Sequence, residues 1–218
     1  MRAAIALACV VALAWAWVLA GAGVGMEEMD MGGGSMMLMR PEWTVGYAAL
    51  VFLMWVVMMT AMMLPGAARA ILGAASPLAF AAGYLAVWSG FSAAATLAQF
   101  VLDRSGLLSD AMALNSGIAA GLLVLAVGAY QLAPWKHSCL RRCKAAPGGL
   151  RYGASCLGCC WALMALLFVA GVMNVLCVAA ITLWVSAEKL LPRGARIARL
   201  AGAGLIAWGS VDLALAVL

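Results

Sequence analysis

Apolar runs of about twenty residues follow one another along almost the whole chain, and they restrict its fold more than any other feature. A helix needs about 20 mostly apolar residues to cross a bilayer. Seven stretches of the 218-residue chain are read that way: 3–21, 43–64, 77–101, 111–133, 153–173, 174–191 and 200–218. Lipid offers no hydrogen-bond partner to a bare N–H or C=O, so such runs are predicted to be α-helices packed on one another. Only 10% of the residues are charged, against roughly 25% in soluble domains. The expected fold is therefore an all-α, polytopic membrane helix bundle of about seven transmembrane helices, with a cytoplasmic N-terminus. Residues 155–187 are apolar throughout and too long for one span. A tight turn is predicted there between Gly171 and Asn174.

The orientation follows from the basic residues, which collect on the cytoplasmic side of membrane proteins. With seven spans, eleven of the thirteen Lys and Arg fall on one side: Arg2, Arg69, Lys136, Arg141, Arg142, Lys144, Arg151, Lys189, Arg193, Arg196 and Arg199. Arg40 and Arg104 fall on the other, with the acidic residues Glu27, Glu28, Asp30, Glu42, Asp103 and Asp110. Residues 1–42 are expected to be a first transmembrane helix followed by an external Met- and Gly-rich loop. The alternative reading of the first run is a signal peptide. Residues 43–218 form a six-helix membrane domain with a cytoplasmic Cys-rich loop at 134–160. The setting this implies is a membrane, with lipid as the surrounding partner. The net charge of +5 sits in short loops between apolar runs, which points away from nucleic acid.

Five of the seven cysteines and the single histidine lie between residues 137 and 160. On a helix, Cys156, Cys159 and Cys160 (i, i+3, i+4) share one face. Cys139 and Cys143 share a face if their segment is helical. Thiolates favour Cu(I), Zn(II) and other soft ions. The neighbouring Lys136, Arg141, Arg142 and Lys144 favour thiolate over thiol. A cytoplasmic location argues against disulfides, and the spacing is not that of a standard zinc site. His137 is a further candidate ligand beside Cys139. Cys9 and Cys177, each alone in an apolar run, are read as small packing residues.

Methionine carries the second signal. Met54, Met58 and Met62 recur every four residues, and Met59 and Met63 widen the stripe up to Pro65. Methionine commonly fills gaps between helices, but five within ten residues is dense for filler. Thioethers select Cu(I), and a neutral ligand avoids burying charge in the bilayer. Outside the membrane, Met26, Met29 and Met31 are candidate capture residues, with Met36, Met37 and Met39 beyond them. Their spacing resembles the Met motifs of Ctr-type copper transporters, whose helix number this chain does not share. Asp212, an acid inside the last apolar run, is a candidate for proton coupling, or for pairing with Gln99, Asn115 or a backbone group. Glu188 and Lys189 are read as marking the membrane interface. Small residues at 201–204 favour close helix packing.

The pattern Met-Trp-x-x-Met-Met-x-Ala-Met-Met-Leu-Pro at 54–65 is followed in order by Gly83-Tyr84 with Trp88, Tyr130-Gln131 and Cys139-x-x-x-Cys143. Cys156-Leu157-Gly158-Cys159-Cys160-Trp161, Gly171-x-Met173-Asn174 and Glu188-Lys189 complete it. Over about residues 50–192 this resembles a bacterial family of predicted metal-binding integral membrane proteins of unknown function. The resemblance implies a polytopic membrane fold, a bacterial inner (cytoplasmic) membrane as its setting, and a metal site, without naming a reaction.

Three functions fit these residues. The leading one is membrane handling of a soft metal, most simply Cu(I), with zinc or another soft ion as alternative cargo. External methionines would collect the ion, a thioether ladder in the second helix would pass it, and the thiols would hold it for a metallochaperone or a copper enzyme. The second is a thiol oxidoreductase using Cys156, Cys159 and Cys160. The third is an assembly factor for a copper enzyme, alone or as an oligomer. No nucleotide-binding loop is present, and the residues favour a binding or transfer protein over an enzyme.

Overall fold

The computed structural model describes residues 2–21, 27–30, 36–39, 42–109, 112–145 and 147–217. The described helices are α1 (Arg2–Leu19), α2 (Val45–Leu72), α3 (Pro77–Arg104), α4 (Gly117–Leu132), α5 (Pro134–Ala145), α6 (Gly149–Ala165), α7 (Leu167–Ala170), α8 (Val175–Leu190) and α9 (Gly194–Val217). Five helical stretches are long and apolar enough to cross a membrane: α1, α2, α3, α6 continued by α7, and α9. A sixth is added if α4 and α5, bent by 62°, count as one span. This is compatible with a multi-pass membrane protein. The element expected over 174–191 is α8, whose 16 residues rise about 24 Å, short of a hydrocarbon core of about 30 Å.

Local chemistry sets most of these boundaries. The Thr44 hydroxyl caps α2 by accepting from the Tyr47 amide (3.1 Å), and Ser116 caps α4 through Ala119 (3.3 Å). The break between the α6–α7 stretch and α8 falls at the predicted place. Gly171 takes a positive φ of 94°, which glycine accepts without strain, and the Asn174 side chain caps α8 through the Cys177 amide (3.1 Å). The bend between α4 and α5 has its cause in Pro134. A proline disfavours helical backbone in the residue before it, and Ala133 is extended. The segment after it, expected as a loop, is the basic helix α5. The region expected as an irregular external loop carries a short antiparallel pair, β1 (Glu27–Asp30) and β2 (Met36–Met39), with Glu27 opposite Met39. Met29 stands in β1, while Met26 and Met31 lie outside the described residues.

α2 is the central helix. It packs against α1, α3 and α8, and the side chains of Met54, Trp55, Met58, Met59, Met62 and Met63 are all buried. α4 and α9 pair through glycines. A Cβ on Gly128 would lie 3.0 Å from the Gly202 carbonyl, and one on Gly202 would lie 3.0 Å from the Gly128 carbonyl. This is the close packing expected of the small residues near 201–204.

α6 enters the bundle at Gly149, against the backbone of α3. A Cβ there would sit 1.9 Å from the Phe80 carbonyl oxygen. Gly149→Ala is therefore expected to push the start of α6 off α3 and to destabilise the fold by about 1–3 kcal/mol, the usual cost of overpacking. A lower unfolding temperature of the purified protein in detergent would register it. An unchanged one would mean that this contact is not tight.

Candidate metal site at the α5–α6 junction

The thiols converge because α5 folds back on α6. Cys156, Cys159 and Cys160 present one face of α6 and are buried, as is Cys143 on α5. All are free thiols. The Cys159 and Cys160 sulfurs lie 3.3 Å apart, and the Cys159 thiol donates to the Cys156 carbonyl (3.1 Å). Cys143 interacts with both Cys156 and Cys159 from the α5 side. Tyr152 closes over Cys143. Cys139 is half-buried and lies against α6 at Gly158, where a Cβ would be 3.2 Å from its sulfur. Five cysteines thus sit at one α5–α6 junction, four buried and one at its edge.

Cys156 is the centre of the arrangement. The Lys189 ammonium on α8 donates to its sulfur at 2.7 Å, and the Tyr84 hydroxyl on α3 lies 3.1 Å from the same atom. Tyr84 also donates to the Met63 carbonyl of α2 (3.1 Å). Gly66, one turn beyond Met62 and Met63, leaves room for Lys189; a Cβ there would meet the Lys189 Cδ at 3.2 Å. Residues three and four apart share a helix face, so Met62 and Met63 belong to the side of α2 that fronts Lys189. Tyr84 thus links the Met63 turn of α2 to the Cys156 sulfur.

Beside this pair is a second buried ionic group. Glu188 and Lys136 are 1% and 0% exposed and form a 2.7 Å ion pair. The Glu188 carboxylate also accepts from Gln131 Nε2 (3.2 Å) and Trp184 Nε1 (2.7 Å). Glu188 and Lys189, expected at the membrane interface, are both buried between helices. Both face inward, because each has a partner of opposite or complementary character on another helix. Lys136, read only as a loop charge, belongs to the same core.

His137 is separated from the thiols. It lies in a cleft of about 190 Å³ with Leu140, Arg141, Pro192, Ala195 and Arg199. α5 lies outside the five long apolar stretches, and burial together with the Arg199 and Lys136 charges pushes the imidazole below its ordinary range. Asp212 is half-buried on α9. Its two expected partners are engaged elsewhere: Gln99 with Trp55 and Met112, and Asn115 with the Gly106 carbonyl. Among the described residues, no three His, Cys, Asp or Glu side chains stand ready-arranged around an ion position. The thiols instead pack on one another, and Lys189 occupies the Cys156 sulfur. The donor set itself, several clustered thiols, is soft and suits Cu(I).

Residues 52–211 match the model of a family described as PpoB2, copper chaperone. The chain belongs to the PpoB2 copper chaperone family. The match takes in the Met run, all five clustered cysteines and Glu188-Lys189, and leaves the methionines of 26–39 outside it. No curated protein and no solved structure matches the chain. Membership in PpoB2 supports association with copper and is consistent with its handling or delivery. Tyr84, Lys136, Glu188 and Lys189 are the site residues that reasoning on ligand types passed over. Their signal was present, since a Glu-Lys pair closing an apolar run is costly unless partnered.

Proposed function

We propose that the protein takes Cu(I) at the outer side of the membrane, passes it along the α2 methionines, and holds it on the inner thiols for delivery to a copper-binding partner. The observation that carries this reading is the junction at Cys156, where the Met63 turn of α2, Tyr84 of α3, Cys156 of α6 and Lys189 of α8 meet. Met54 to Met63 rises about 13 Å along α2, a substantial part of the bilayer core. Thioethers are neutral and bind weakly enough to release the ion; anionic thiolates at the end hold it more firmly.

Lys189 supplies the charge balance. A buried ammonium needs an anion, and Glu188 is already paired with Lys136, so the Cys156 sulfur serves Lys189 as a thiolate. When Cu(I) bonds to that sulfur, the Lys189 hydrogen bond is given up. A second cysteine then ligates and releases its proton to water outside the site, one proton leaving for each Cu(I) that enters, which makes a copper dithiolate of charge −1 beside the ammonium. No electron is transferred and the buried charge again sums to zero. Cys139, at the edge of the cluster, is the thiol placed to meet an acceptor.

The test is Cu(I) uptake into vesicles carrying the purified protein and a trapped Cu(I) chelator. Leucine conserves the volume of methionine, with a stability cost below about 1.5 kcal/mol. Met58→Leu/Met62→Leu is expected to fold and to slow uptake by about tenfold, equivalent to about 1.4 kcal/mol. Uptake equal to that of the unsubstituted protein would remove the thioether ladder from the mechanism.

A further inference from the structure

At the other end of α2 a second methionine-bearing element turns inward. In the connection between α3 and α4, the described residues 107–109 and 112–115 are hydrogen-bonded to one another and to α7. Ser109 donates its amide to the Ala113 carbonyl (2.7 Å), Asn115 to Leu107 (2.9 Å), and Leu114 to Phe168 of α7 (2.7 Å). Met112 sits within this turn with φ of 55°, and its side chain is only 9% exposed. A left-handed conformation is uncommon for a residue that is neither Gly, Asn nor Asp, and such conformations persist only where the surroundings hold them.

What holds this side chain is specific. Gln99, 2% exposed, donates its amide to the Met112 sulfur (3.3 Å). The Gln99 carbonyl accepts from the Trp55 indole (2.8 Å). Trp55 directly follows Met54, and Met58 and Met59 lie one turn further along α2. A single amide thus ties the Met112 thioether to the Trp55 indole, whose face of α2 Met58 and Met59 share at spacings of three and four. A thioether sulfur has two lone pairs, and the hydrogen bond uses one of them. Gap-filling would need neither the amide nor the unfavourable backbone.

We infer that Met112 is a further Cu(I) ligand, the thioether that receives the ion and passes it to Met54 and the α2 run. Gln99 is then a positioning residue that aims the Met112 sulfur. The inference rests on the reading given under Proposed function and adds its point of entry. Met112 lies outside the external methionine segment of 26–39, so capture does not depend on that segment.

The experiment uses the full chain in vesicles with a trapped chelator and Cu(I) alone as the probe. Initial uptake rates are measured over a range of free Cu(I), for the unsubstituted protein, Met112→Leu, Gln99→Leu and Met58→Leu/Met62→Leu. A receiving ligand governs capture, so Met112→Leu is expected to raise the half-saturating Cu(I) concentration about tenfold and to leave the maximal rate per folded protein unchanged. Gln99→Leu should shift it in the same direction by less. A purely structural Met112 would instead lower the amount of folded protein, and with it the maximal rate, at an unchanged half-saturating concentration. That result, with Met58→Leu/Met62→Leu still slowing uptake, overturns this inference and leaves the ladder standing. If neither Met112→Leu nor the double variant changes uptake, the ladder and its entry ligand fail together.

Discussion

Serine at Cys156, Cys159 and Cys160 is expected to strip the protein of stoichiometric Cu(I) and to lower its affinity by more than about a thousandfold, about 4 kcal/mol. The change keeps side-chain size nearly constant and replaces soft, ionisable sulfur with a hard hydroxyl that Cu(I) binds poorly. Three of the four buried thiols go at once. What remains is Cys143 on α5, the half-buried Cys139 and the thioethers of α2, none of which is in contact with Lys189 in the way Cys156 is. Anaerobic loading with Cu(I), followed by competition against a chromogenic Cu(I) chelator, reads the affinity directly. Because the triple variant also deprives Lys189 of its buried partner, Cys159→Ser/Cys160→Ser is the companion variant. It keeps the Cys156–Lys189 contact, and with it the fold, while removing the second ligand. One equivalent of copper held with unchanged affinity in both variants would rule out the α6 thiols as the holding site. An unsubstituted protein that binds no copper under these conditions, yet cycles a disulfide, would move the function to thiol redox chemistry at the same cysteines.

The second large effect is expected at Glu188. Its carboxylate pairs with the Lys136 ammonium at 2.7 Å, with both side chains essentially out of solvent. Gln131 and Trp184 also donate to it. Glu188→Leu leaves the ammonium, an amide and an indole without their acceptor. Removing one partner of a buried pair costs about 3–5 kcal/mol, whereas replacing both by apolar groups of similar volume is often close to neutral. Glu188→Leu should therefore lower the unfolding temperature in detergent sharply, and adding Lys136→Met should recover much of the loss. A double-mutant cycle isolates that coupling. If the single variants each change stability by less than about 1 kcal/mol and show no coupling, the pair does not hold α5 to α8. Copper retention should fall with stability in Glu188→Leu, since Lys189 is the next residue and holds Cys156.

Much of the helix pattern was readable because it is written locally. Each apolar run reports that a segment is buried or lipid-facing, and the residues that end it are next to it in the chain. Gly171 and Asn174 announce the turn before α8 in this way. Pro134 carried the same kind of signal for the α4–α5 bend, and its effect on Ala133 explains why the basic stretch is a separate helix rather than a loop. The length of α8 was less legible, since hydropathy marks where an apolar run exists and not how far it rises across a membrane.

The same division runs through the candidate site. Helical periodicity alone placed Cys156, Cys159 and Cys160 on one face and the α2 methionines in a stripe, because spacings of three and four are properties of one helix. The partners of those faces are separated by tens of residues: Lys189 from Cys156 by 33, Lys136 from Glu188 by 52, Tyr84 from Cys156 by 72. Nothing local distinguishes a lysine that ends an apolar run at the membrane surface from one that turns inward to a sulfur. The sequence by itself determined a helical membrane chain carrying two sets of soft ligands. That Tyr84 links the Met63 carbonyl to the Cys156 sulfur, and that a buried ammonium sits on that sulfur, emerged only from the tertiary structure, because it depends on which helix faces pack together, and packing is a property of the whole bundle.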